Sequence, residues 1–428
     1  MARIKIKDLA KDKKISKEGM KKVVGGSRMD DLFNVWKTQN HKSQRIQKKL
    51  MNLNEYIRST EINTIFFLAI SMMSPVLAPY IKGLGFSDFQ LSLLFAVNPL
   101  ILIFYSTVIG RLSDYAGRRK VIALGIIGES VAILIYIFNT HWAMFVLARM
   151  LDAVAAVTVA IVSLAAIEDS IKKGRGKFTG ISLSLEYVGR LLGPIVGGLL
   201  ADIVFIKAPF ATSLIVIALL LFLLPRSKVI KIRKKAKIGW LEGIRHFLSF
   251  KQLKGMALIG IVMHSAIPAF LVFLPLFITE NLNLSFIFVG YAIFALESPH
   301  ILQFVFGKWA DRNAKKLILV GTLISGLLMS LISQINIYTI LLFVLFIRGI
   351  GLSMWNISAW TFMSEIGEKR RMEGEVIGSY LSIVKIGSFV SFILSGLLVY
   401  LYGISSLFLI NGIIIVLGVL FAYPLLKK

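Results

Sequence analysis

Cysteine is absent from all 428 positions, which excludes disulfides, thiol nucleophiles and cysteine metal sites. Histidine is scarce. Among His41, His141, His246, His264 and His300, no two share metal-ligand spacing on one helix turn. No metal, no cofactor and no catalytic residue is therefore expected, and an enzyme is disfavoured. Charge is also thin, at 17% of residues, too little to cover the surface of a water-soluble chain of this length.

What fills the chain is apolar. Hydrophobic residues make up 56% of positions, and mean hydropathy is +0.77. From Ile62 onward, runs of about 20 apolar residues recur, each able to cross roughly 30 Å of hydrocarbon. A porin-like barrel is excluded because its strands alternate apolar and polar residues. The predicted fold is an all-α polytopic membrane protein. Its twelve transmembrane helices lie near 62–81, 89–110, 120–138, 142–167, 178–200, 208–225, 255–279, 286–306, 317–335, 338–362, 375–400 and 405–425.

The net charge of +26 is distributed as a topology signal, so a nucleic-acid partner is not expected. Residues 1–61, 111–120, 168–177, 226–254, 307–316 and 366–374 are basic, whereas the alternate connectors carry few cations. By the positive-inside rule both termini are cytoplasmic, with the protein multi-pass in the cell membrane, here a bacterial inner membrane. The lipid bilayer is thus one partner.

The expected organisation is a basic arm at 1–61, a bundle at 62–225, a basic linker at 226–254 and a second bundle at 255–428. Within the linker, GWLEGIRHFLSF has the pattern of a helix lying along the inner leaflet. The halves repeat. Gly110 and Asp114 recur as Gly307 and Asp311, Arg149 as Arg348, and Gly180 and Gly189 as Gly378 and Gly387. Two pseudo-symmetric six-helix bundles with a site between them near mid-membrane are a transporter plan.

The loop GRLSDYAGRRK carries Gly110, Asp114, Gly117, Arg118, Arg119 and Lys120, and its second copy GKWADRNAKK carries Gly307, Asp311, Arg312, Lys315 and Lys316. This pattern resembles the loop signature of the major facilitator superfamily. Tyr115 stands in place of the usual base, and Ala314 in place of the second copy's glycine. The resemblance covers about residues 62–428. Each acid is expected to face the positive end of a helix in the opposite bundle, Asp114 the eleventh span and Asp311 the fifth, and so to latch the inner ends together in the outward-facing state. Such a charge is worth about 0.3–1 kcal/mol.

The fifth span, GISLSLEYVGRLLGPIVGG, places Gly180, Gly189, Gly193, Pro194, Gly197 and Gly198 in a pattern typical of family antiporters. Small residues let helices approach closely. The resemblance implies proton-coupled efflux of a drug or metabolite, as in multidrug resistance. The expected partners are a small organic or amphipathic substrate and protons, and the expected state is a monomer. A uniporter, a proton-coupled importer and a sensor or scaffold on this fold are the alternatives.

Charges inside spans cost at least about 2.5–3.5 kcal/mol, so each needs a reason. Glu186 and Arg190 are four apart on one face of the fifth span, and Arg149 and Asp152 are three apart in the fourth. Glu129, Glu297, Arg348 and Lys385 lie in the third, eighth, tenth and eleventh spans. Arg149 resembles the family's fourth-span arginine, which is linked to proton movement. Glu186, Asp152 and Glu297 are the candidate carriers, with Arg149 and Arg190 as modulators. Glu297 is read as buried with no sequence neighbour to pair it. Static neutralisation between helices is the alternative for the two pairs.

Residues 1–26, MARIKIKDLAKDKKISKEGMKKVVGG, contain no apolar core and are not a signal peptide. They resemble a double-glycine leader peptide, through Ile15, Ser16, Glu18, Met20, Val23, Gly25 and Gly26. An amphipathic basic arm is the other reading.

Overall fold

Length and apolarity dictate helices here, because a backbone crossing hydrocarbon must satisfy its own hydrogen bonds. The computed structural model describes residues 52–171, 175–224, 240–370 and 372–427, and every regular element among them is helical. The leader-like segment and residues 226–239 of the linker lie outside the described residues.

Six spans build the first bundle: Asn52–Gly83, Asp88–Ala116, Arg118–Phe138, Trp142–Ser170, Arg175–Ile203, and Ala208–Leu219 with its tighter last turn Leu220–Leu223. The second bundle opens with Lys251–Asn281, whose turns widen at Ala269–Phe273 and Phe277–Asn281, around Pro268 and Pro275. One continuous stretch, Phe286–Ile332, then supplies two spans. It folds back at Asn313, where φ is −147° and ψ is 52°. Tyr338–Arg370, Glu373–Tyr402 and Ile404–Leu426 complete the twelve.

The first span starts at Asn52 rather than at 62. Its polar opening residues are satisfied by the fifth span. Tyr56 Oη donates to the Phe178 carbonyl at 3.2 Å, and the Thr60 and Ser182 hydroxyls meet at 2.7 Å. The amphipathic piece of the linker forms the helix Trp240–Ser249. It lies against the start of the eleventh span, where His246 Nδ1 and Glu375 Oε1 are 2.7 Å apart.

Across the bundles, the second span packs on the eleventh and the fifth on the eighth. Both seams are tight on the face opposite the basic loops. Gly396 faces Ser92, whose hydroxyl donates to the Phe392 carbonyl at 2.5 Å. A Cβ on Gly198 would strike the Phe286 carbonyl, and one on Gly290 would come within 2.5 Å of the Pro194 oxygen. On the basic face, Gly180 and Gly378 have no atom within 4 Å of an added Cβ. The bundles meet on one side and stand apart on the other.

Candidate functional site

The fourth span carries Asp152, Ala153, Ala156, Val157 and Ala160 at helical spacing, a face of mostly small side chains. That face leaves room between the bundles. A cavity of about 460 Å³ lies there, lined by Phe67, Met73, Phe95, Arg149, Asp152, Arg190 and Lys385 among others. An adjoining cavity of about 270 Å³ shares Ser74 and Leu271 with it and adds Glu297 and Arg348. A larger groove of about 670 Å³ is lined by the seventh, eleventh and twelfth spans alone, almost wholly by apolar side chains, with no acidic or basic residue in its lining.

Both intraspan pairs form. The Arg149 guanidinium donates to Asp152, and its carbon lies 4.5 Å from the centre of the Phe95 ring. Arg190 donates to Glu186 at 2.7 and 2.8 Å and stacks over Phe67 at 3.6 Å. The second Glu186 oxygen accepts from Asn63 Nδ2 at 2.6 Å. Glu129 is fully buried beside Arg149 and Asp152, and neither of its carboxyl oxygens has a hydrogen-bond partner among the described residues.

Glu297 corrects the reading of an isolated buried acid. Its side chain is 40% exposed, and it is held across the bundle seam by Tyr187. The Tyr187 hydroxyl lies 2.9 Å from Glu297 Oε2 and 2.7 Å from its carbonyl. Within the eighth span itself, His300 brings Nδ1 to 3.8 Å from the same oxygen, so Tyr187 is the cross-bundle partner beside an intraspan one.

Asp202 and Lys82, which sequence reasoning left aside, fasten the side opposite the basic loops. Asp202 ends the fifth span and accepts from the first backbone amides of the eighth, Phe286 N at 3.0 Å and Ile287 N at 2.8 Å. It therefore caps a helix of the other bundle, where the positive end of the helix dipole favours an anion. Lys82 bridges Glu280 at 2.7 Å and Asp88 at 2.8 Å, joining the ends of the first and seventh spans.

Residues 62–298 and 299–428 match the description Major Facilitator Superfamily. The chain belongs to the Major Facilitator Superfamily. It is 26% identical over 367 residues to an uncharacterized MFS-type transporter, MJ1560, of Methanocaldococcus jannaschii, an alignment covering 82% of this chain and 93% of that protein. It is 28% identical over 169 residues to the class H tetracycline resistance protein of Pasteurella multocida, covering 38% of this chain and 42% of that one. The crystal structure of the nucleoside transporter NupG shares the fold, with a TM-score of 0.73 at 13% identity over 88% of this chain and 100% of that one.

In this superfamily member the two loop copies differ for a backbone reason. Gly117 joins the second and third spans at φ 92°, a left-handed conformation that penalises any side chain. The second copy turns at Asn313 with negative φ, so Ala314 replaces glycine without strain. Asp114 pairs with Arg118 of its own turn at 2.7 Å, and Arg118 also reaches Ser113 and, at 3.2 Å, Asp169. Arg119, Asp311 and Arg312 are exposed. Gly110 lies within the second-span helix and Gly307 in the eighth. Among the described residues, neither Asp114 nor Asp311 has a hydrogen bond or ion pair to the opposite bundle.

The remaining fifth-span residues have distinct neighbours. Gly189 and Gly193 sit against the first span's backbone at Thr64 and Leu68, Gly197 against Met72, and Gly198 against the eighth span. Pro194 lies within the unbroken helix Arg175–Ile203. Met73 lines the cavity, whereas Met72 is buried in packing.

Proposed function

We propose that this chain exports a small amphipathic organic compound from the cytoplasm in exchange for protons, as a monomer with its basic face and both termini cytoplasmic. The observation that carries the reading is the Glu129–Arg149–Asp152 cluster at the wall of a cavity closed on one side. One cation faces two acids. With a single proton shared between Asp152 and Glu129 the cluster is neutral; without it, a net negative charge is buried where the described residues supply Glu129 no donor. Proton loss or gain thus changes the electrostatics of the substrate cavity directly.

Two further features support export. The fifth-span glycine-proline run follows the antiporter pattern, and a relative is named for tetracycline resistance. Alternating access fits the two seams: the Asp202 and Lys82 fastenings hold one mouth shut, and this reading gives the closing of the other to the Asp114 and Asp311 loops. The cycle swaps one set of contacts for the other.

Inverted membrane vesicles test this reading. A screen of amphipathic compounds is expected to show accumulation that requires an acidic interior and stops when the pH gradient is collapsed. Accumulation that equilibrates without regard to pH identifies a uniporter, and uptake with the opposite gradient identifies an importer. Failure of any compound to show counterflow favours a sensor or scaffold.

A further inference from the structure

The charges that line the cavity are unevenly partnered. Across the two adjoining cavities the lining includes four cations, Arg149, Arg190, Arg348 and Lys385, against two acids, Asp152 and Glu297. Arg149 is closed by Asp152, and Arg190 is neutralised from behind by Glu186. Glu297 is held by Tyr187. Arg348 is fully buried and lies flat on Phe270 at 3.9 Å, its Nε without a hydrogen-bond partner among the described residues. Lys385, midway along the eleventh span, has no ion pair and no hydrogen bond among the described residues, and it lines the central cavity.

A lone ammonium inside a membrane span is costly and persists where a pathway or a ligand uses it. The surroundings of Lys385 make a second cation unwelcome: Arg149 and Arg190 line the same cavity, and His264 lies close enough to feel its charge. The opposite wall offers Phe67, Phe95, Met73 and Leu77, an apolar and aromatic bed with an adaptable methionine. An apolar body would rest on that wall, and its charged end would face Lys385.

We infer that the transported compound is an amphipathic organic anion whose carboxylate, sulfonate or phosphonate is received by Lys385, with Arg348 adding to the positive field from the adjoining cavity. This rests on the transporter reading above but not on its direction or its proton coupling. The arrangement assigns substrate charge to the second bundle and substrate shape to the first. Binding therefore draws the two bundles to one ligand, which an alternating-access carrier needs.

The test uses the purified full-length protein and three aromatic probes of one ring system, naphthalene sulfonate, naphthalene methanol and naphthylmethylammonium. Binding is read from tryptophan fluorescence in detergent with no proton gradient, so it separates from the export assay. The anionic probe is expected to bind at least about tenfold tighter than the other two. In Lys385→Gln its affinity falls on the order of 30-fold, the usual scale when one partner of a buried charge pair is removed. Lys385→Arg restores most of that loss, and the neutral probe binds Lys385→Gln within about twofold of the unaltered chain, which reports intact folding in the same sample. Preference of the unaltered protein for the neutral or cationic probe overturns the inference whatever the variants do. So does unchanged anion binding in Lys385→Gln. If anion binding persists while vesicle export fails, the fault lies with the export reading and the anion site stands.

Discussion

Gly197→Val is expected to yield little folded protein and no measurable transport. An added Cβ at Gly197 would fall on the Met72 carbonyl, with the Met72 carbonyl carbon at 2.6 Å and its Cα at 2.7 Å. These are backbone atoms of the first span, which cannot swing aside as a side chain can. Overpacking a well-filled interior costs about 1–3 kcal/mol, and more where the backbone must move. Gly180→Val provides the contrast, because an added Cβ there meets nothing within 4 Å. Its folded yield, read by fluorescence-detected size exclusion of a tagged chain, should match that of the unaltered protein. Equal loss in both variants would mean that helix propensity, and not the close approach to Met72, sets the requirement.

Glu129→Gln is expected to separate accumulation from passage. The amide keeps the shape of the carboxyl and removes its proton exchange. Accumulation driven by an imposed pH gradient should collapse, while counterflow of substrate down its own gradient persists. Coupling between two ligand sites is typically about 1–3 kcal/mol, or about 5–150-fold. A fall in driven accumulation of at least about tenfold is therefore the expected scale. Full uphill accumulation by Glu129→Gln would remove this acid from the proton route and return the role to Asp152 or Glu186. Glu129 is chosen for this test over Glu297 because Glu297 is partly exposed and already hydrogen-bonded to Tyr187, whereas both Glu129 oxygens are buried with no donor among the described residues.

Much of the architecture could be read from the chain because hydrocarbon imposes strong rules. Apolar runs, the repeated loop and the paired arginines Arg149 and Arg348 all follow from burial and charge patterning within single spans. What could not be read depends on contacts between spans. The polar start of the first helix reads as part of the basic arm, because its satisfaction depends on Tyr56 and Thr60 meeting Phe178 and Ser182 in the fifth span. Asp202 resembled any acid at a span end, since its partners are the backbone amides of Phe286 and Ile287, which carry no sequence signal. The turn at Asn313 has neither proline nor positive φ to announce it. In the site, the intraspan pairs were legible from spacing, but the Tyr187–Glu297 link and the lack of a hydrogen-bond partner for Glu129 among the described residues required the fold.

The absence of cysteine makes the decisive measurement clean, because introduced thiols are the only ones to label. Spin labels at Val204→Cys and Asn281→Cys report the fastened face, and labels at Tyr115→Cys and Arg312→Cys report the basic face. Double electron–electron resonance across substrate and pH conditions is expected to show the first distance lengthening as the second shortens. Asp202→Ala should shift populations the same way without substrate, because it frees the amides of Phe286 and Ile287. Distances that stay fixed in every condition, or that lengthen and shorten together, would contradict two bundles exchanging one closed mouth for the other.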